Sequence, residues 1–128
     1  MARILITYPF ASQRIEDLRR RHEVIVLPRG AEVTEALLCR EVAGCEALAV
    51  LLLHRVTGRV LEAAPRLRII ATVAVGYDNI DVETARRRGM YVTNTPDVLT
   101  RATADLTWAL ILAVARKIPQ ADRFNQNI

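Results

Sequence analysis

The run Ile69-Ile70-Ala71-Thr72-Val73-Ala74-Val75-Gly76-Tyr77-Asp78-Asn79-Ile80-Asp81 sets the architecture of this chain. Residues 69–75 are apolar or β-branched without a break, and Gly76 stops them. A continuous run of this length between turn residues predicts a strand buried on both faces, as inside a parallel sheet. In open parallel sheets, ligands sit beyond the carboxyl ends of the strands. Gly76 permits either a turn or the close approach of a ligand to the backbone, and both readings stand. At the strand's end the amides of Val75 and Gly76 are expected to lack ladder partners, which suits them to hold a small anion such as a carboxylate.

The flanking segments alternate. Upstream, Thr57 leads a short helix through Val60, Leu61 and Ala64 that Pro65 stops. Residues 47–53 are wholly apolar, too short for a helix and right for a central strand. Thr34 caps a helix with Leu37, Leu38 and Val42 on its inner stripe, closed by Gly44. Residues 23–27 and 3–7 read as strands, with a helix between them that starts at a Ser12 cap, runs to about Arg21 and turns Ile15 and Leu18 inward. Downstream, Asp81 caps a helix over residues 82–88 that Gly89 ends, and residues 90–93 form a fifth strand before a turn at 94–97.

Strand and helix thus alternate five times across short connections. That pattern predicts an α/β fold, a parallel five-stranded sheet with helices on both faces. Right-handed crossovers make a flavodoxin-like doubly wound sheet, strand order 2-1-3-4-5, the simplest topology. Residues 1–99 form this domain. Residues 100–128 are a helix and tail of different character. The helix, capped by Thr100, is apolar nearly all round: Leu106, Leu110 and Val114 on one side, Trp108, Ile111 and Leu112 over the rest. Such a helix must be covered on several sides, which one sheet face cannot do. A second domain or subunit is therefore expected, and Pro119 should kink or end the helix. Residues 125–128 read as a polar tail.

Composition narrows the function. The 128 residues are 52% hydrophobic and 25% charged, the balance of a globular chain long enough to bury about two-thirds of its unfolded surface. No apolar run reaches the ~20 residues of a membrane span, and the start lacks a signal-peptide core, so a cytoplasmic setting is expected. Cys39 and Cys45 match no zinc spacing, and His22 and His54 stand far apart, so no metal is expected. Net charge is +4, and Lys117 is the sole lysine. Arg19 to Arg21 and Arg86 to Arg88 lie near predicted helix ends, where cations complement the helix dipole. Scattered bases without stacking aromatics argue against nucleic acid.

Catalytic constellations are absent. There is no glycine-rich dinucleotide or Walker loop, no Ser-His-Asp set and no Cys-His pair. Asp78, Asn79 and Asp81 make an acidic-polar turn that turn formation and helix capping explain.

Three segments, Val-Gly-Tyr-Asp-Asn-Ile-Asp (75–81), Arg-Arg-Gly-Met-Tyr-Val-Thr-Asn-Thr-Pro-Asp-Val-Leu-Thr (87–100) and Ala-Thr-Ala-Asp-Leu-Thr (102–107), closely resemble the D-isomer-specific 2-hydroxyacid dehydrogenases. Within that family the chain is most similar to the glyoxylate/hydroxypyruvate reductase group. The likeness runs to about Phe124 and covers only the leading part of a full-length member; residues 125–128 leave the pattern. It implies a flavodoxin-like substrate-binding domain in which the backbone of Val75 and Gly76 holds the carboxylate of a 2-oxo acid. It also implies that Leu52 and Leu53 line the substrate cleft, although from the sequence alone they read as core. Thr103 is implied to approach the nicotinamide end of the cofactor; its alternative is an N3 residue hydrogen-bonding near the helix cap.

The family's dinucleotide-binding domain, its substrate-clamping arginine and its proton-moving histidine-glutamate pair would lie beyond residue 128. No catalytic residue is therefore assigned here, and no cofactor is expected on this chain alone, whereas the full-length family uses NAD(P). A small 2-oxo or 2-hydroxy acid should bind weakly, without turnover. A homodimer through the helix from Thr100 to Lys117 is expected. The alternative is a non-catalytic module that self-associates through that helix.

Overall fold

Leu48 faces Leu5 on one neighbouring strand and Ile70 on the other, and Ile70 faces Val92 in turn. This row is the centre of a parallel sheet, and successive residues along each strand point to opposite faces. The computed structural model describes residues 1–10 and 13–125. They fall into two compact units, Met1–Thr95 and Pro96–Ile128.

The first unit runs β1 (Arg3–Ile6), α1 (Gln13–Arg19), β2 (Glu23–Val26), α2 (Glu35–Val42), β3 (Ala47–Val50), α3 (Gly58–Glu62), β4 (Ile69–Thr72), α4 (Val82–Arg87) and β5 (Tyr91–Thr93). All strand pairs are parallel, in the order β2-β1-β3-β4-β5. That is the order the alternation predicts. The proposed Ser12 cap of α1 lies outside the described residues.

One face carries the main core. Leu5, Leu48, Val50 and Ile70 pack with Leu38 and Val42 of α2, Val60 and Leu61 of α3 and Ala85 of α4, all nearly or fully buried. On the other face Ile6 and Ile15 are buried outside that cluster, and α1 packs near β2. Toward β4 and β5 this second face stays open: Ile69 is 37% and Tyr91 73% exposed.

The helix ends obey local chemistry. Thr34 Oγ1 accepts the Leu37 N–H at 3.2 Å and Asp81 Oδ1 accepts that of Thr84 at 2.9 Å, each satisfying an amide that the first turn leaves orphaned. Gly89 takes a φ of +68° just after α4, a conformation glycine adopts without penalty. Thr57 sits before α3 without a side-chain cap bond and donates instead to the Glu35 carboxylate. Arg88 was expected only to complement its own helix end. Its guanidinium also donates to the carbonyls of Leu61 and Ala64 around the end of α3.

Two strands end sooner than their apolar runs. β3 stops at Val50 and β4 at Thr72, so residues 51–53 and 73–75 form the rim of the sheet. An apolar run marks affinity for a dry interior, but the ladder ends where neighbouring strands end.

The second unit contains α5 (Thr100–Ala115) and α6 (Ile118–Asn125). The single long apolar helix expected to Lys117 is therefore corrected to two shorter ones. The break is at Lys117, with a φ of 54°, not at Pro119, which falls at the second position of α6. A first-turn proline needs no intrahelical N–H partner, so it starts this helix where it was expected to end one. Asn125 closes α6 and is not part of a tail; the remaining tail residues lie outside the described part. Neither helix buries a residue. No described helix is long and apolar enough to cross a membrane.

Candidate functional site

The rim above β3 and β4 is made by residues 51–57 and 73–81, and backbone bonds hold the two loops together. Val56 pairs with Ile80 in an isolated parallel bridge. Val56 N donates to Asn79 O at 2.8 Å and Asp81 N to Val56 O at 2.9 Å. The last ladder bond of β4 runs from Val73 N to Val50 O at 2.9 Å.

Beyond that bond the chain bends, and its carbonyls are taken up. Thr95 N donates to Ala74 O at 2.9 Å, and Asn94 Nδ2 donates to Val75 O at 2.7 Å. Among the described residues neither the Val75 nor the Gly76 N–H has a partner in the chain. Val75 is 47% exposed. The expected pair of bare amides at a strand's carboxyl rim is present as geometry. Unpaired N–H groups in sequence at such a bend suit an anion.

The φ of Gly76 is outside the left-handed region that Gly30 and Gly89 occupy, so the turn does not require glycine. A Cβ there would meet only Asp78 Oδ2 at 3.7 Å and Leu52 Cδ1 at 3.9 Å, ordinary contacts. The missing side chain leaves the backbone approachable; it does not relieve strain.

The predicted site residues separate into three places. Leu52 lies beside Gly76, its Cδ1 3.9 Å from where a Cβ on residue 76 would stand. Leu53, 84% exposed, instead lines a hollow of about 390 Å³ with Val33, Glu35, Arg55 and Thr57. Both leucines were read as core from the sequence alone; they stand on the rim. Thr103 belongs to the second unit. Because α5 begins at Thr100 with Leu99 before it, Thr103 is one place past N3, and its N–H makes the regular helical bond to Leu99 O at 2.9 Å.

Three residues make rim contacts that the sequence does not reveal. Asn79 Nδ2 donates to the carbonyls of Leu51 at 3.2 Å and His54 at 2.9 Å, so Asn79 ties one loop to the other. His54 Nδ1 lies 2.8 Å from the Thr7 hydroxyl, and burial lowers the imidazole below its ordinary value. Asn94 supplies the bond to Val75 already described. Their partners are 19 to 47 residues away, and no local pattern encodes such pairings. Asp81 has its carboxyl held below the usual range by the Thr84 backbone N–H and then by the Thr84 hydroxyl.

Chemically, this rim can bind and orient an anion. After β1 come Tyr8 and Phe10, whose rings meet edge to face at 5.5 Å, where a phosphate loop needs bare amides and glycine. Among the described residues no three His, Cys, Asp or Glu side chains gather to hold a metal ion.

Comparison with known proteins adds the relatives. Residues 4–119 match the family described as D-isomer specific 2-hydroxyacid dehydrogenase, catalytic domain. The chain is 50% identical over 125 residues to a glyoxylate reductase of Thermococcus kodakarensis, which covers 98% of this chain and 38% of that protein. Among solved structures, a protein of Thermus thermophilus superposes with a TM-score of 0.85 at 40% identity, covering 98% of this chain and 40% of the other. An NADPH-dependent glyoxylate/hydroxypyruvate reductase of Sinorhizobium meliloti, solved with NADP and malonate, gives 0.75 at 33% identity, covering 98% and 38%. The chain thus spans well under half the length of the relatives it matches.

Proposed function

The chain belongs to the D-isomer specific 2-hydroxyacid dehydrogenase family, and on that premise we propose that it is the substrate-binding part of an NAD(P)-dependent enzyme reducing glyoxylate or hydroxypyruvate. In this reading Val75 and Gly76 hold the carboxylate of the 2-oxo acid through their backbone N–H groups. Leu52 walls the carboxylate from one side, Leu53 borders the neighbouring hollow, and Thr103 approaches the nicotinamide. The observation that carries the proposal is the pair of unpartnered amides at the rim of β4.

Magnitudes limit what this chain does alone. Two charge-assisted hydrogen bonds contribute about 1.5–3 kcal/mol each, against an association cost of at least ~4 kcal/mol. Binding is then millimolar or weaker. Hydride transfer needs a positioned nicotinamide, and this chain alone is expected to give no turnover. The test is a titration of the 15N-labelled chain with glyoxylate and hydroxypyruvate, followed by NADH and NADPH oxidation assays. Shifts centred on the Val75 and Gly76 amides without turnover are expected. Protein-dependent oxidation, or shifts confined to other loops, would overturn the assignment.

A second reading has its own observation. In α5, Leu106, Trp108, Leu110, Ile111, Leu112 and Val114 are 51% to 74% exposed, an apolar surface that water disfavours. We infer that the chain forms a homodimer through α5, whether as part of an enzyme or as a non-catalytic module. Sedimentation equilibrium giving the mass of a monomer at every concentration would remove this reading. A reducing, cytoplasmic setting belongs to the same proposal, since Cys39 and Cys45 are free thiols of the kind such a compartment preserves.

A further inference from the structure

His54 closes the turn that carries Leu52 and Leu53, and its ring is tied back to the sheet. Its N–H donates to Leu51 O at 3.0 Å, and its Nδ1 meets the hydroxyl of Thr7 at 2.8 Å. Thr7, directly after β1, is 2% exposed, so the ring is moored to a fixed point. The leucines it frames have little packing of their own: Leu52 is 47% and Leu53 84% exposed. Even so, Leu52 Cδ1 comes within 3.9 Å of the place a Cβ on residue 76 would take.

We propose that His54 is a positioning residue, a latch whose bond to Thr7 holds the turn at residues 51–54 so that Leu52 stays against Gly76. The latch touches no ligand. It sets how closely an apolar wall stands beside the two amides, and amide bonds to an anion strengthen when water is kept from their side. Either neutral tautomer serves, because Nδ1 can accept from the Thr7 hydroxyl or donate to it. Asn79 clamps the same turn through the carbonyls of Leu51 and His54. Asn79 acts on the backbone; His54 adds the only side-chain bond described from this turn to β1's end. The purpose given to the latch rests on the carboxylate reading of Val75 and Gly76, whereas its existence does not.

The test uses the wild-type chain and the variants His54→Phe, Thr7→Val and His54→Asn, with methyl relaxation of Leu52 and the glyoxylate-induced amide shift of Gly76 as readouts. His54→Phe and Thr7→Val each break the bond, the second without changing the ring; His54→Asn keeps a polar group near the position of Nδ1. Expected are mobile Leu52 methyls and a glyoxylate affinity about two- to tenfold weaker in the first two, the range one neutral hydrogen bond carries. Both properties return toward wild type in His54→Asn, a rescue that general destabilisation does not produce. Unchanged Leu52 relaxation in His54→Phe and Thr7→Val would overturn the latch, whatever the ligand does. A wild-type chain whose Val75 and Gly76 amides ignore glyoxylate would instead overturn the carboxylate reading, and with it the purpose assigned here.

Discussion

Gly76 carries the sharpest prediction at the scale of single residues. Its backbone needs no left-handed φ, and a methyl there meets only ordinary contacts. Gly76→Ala should therefore fold, with a gain of about 0.4–1 kcal/mol from the stiffer unfolded chain, while weakening the glyoxylate response by narrowing the approach to the amides. A fall in urea stability would mean that the turn needed glycine after all. His54 gives a pH prediction. Burial lowers its folded value below the ordinary one near 6.5, so as pH falls the unfolded chain takes up the proton first. Stability is fully present above about pH 6.5 and declines as pH drops toward the folded value. Between pH 8 and pH 5 the melting temperature should fall further in wild type than in His54→Asn, which has no proton to bind there.

Among the elements, α2 separates two sources of stability within one helix. Thr34→Ala removes the cap on Leu37 N and should cost about 0.5–2 kcal/mol. Leu38→Ala empties a fully buried core position and should cost about 2–5 kcal/mol. Urea unfolding of the two variants should rank them in that order, because helices in proteins owe most of their stability to the packed face. The elements also mark the reach of local sequence. Thr34 and Asp81 cap where their side chains predict, since a cap is settled within three residues. The ends of β3 and β4 were misplaced because a strand needs neighbours and an apolar run does not name them. Pro119 was misread for a related reason: proline forbids a helix interior and is welcome in a first turn.

For the whole molecule, the open parts of the surface decide the expectation. α5 exposes large apolar side chains all round, while Ile69 and Tyr91 leave part of one sheet face uncovered. Leu110→Glu places a charge in the middle of the α5 surface and should convert a dimer to a monomer in sedimentation equilibrium, with the far-ultraviolet circular dichroism of the β-sheet unit retained. A variant that keeps the dimer mass would show that association runs through another surface.

By itself the sequence determined the class of fold and the strand order, and it put Gly76 beyond the fourth strand without fixing where that strand ends. These follow from periodicity, turn residues and the handedness of crossovers, all of which act over short spans of chain. Only the tertiary structure decided that Leu52 stands against Gly76, that Asn79 joins the two rim loops and that His54 reaches Thr7. Such contacts exist because β1, β3 and β4 lie side by side and bring distant loops to one rim, and a side chain's partner there is a matter of distance in space, not along the chain.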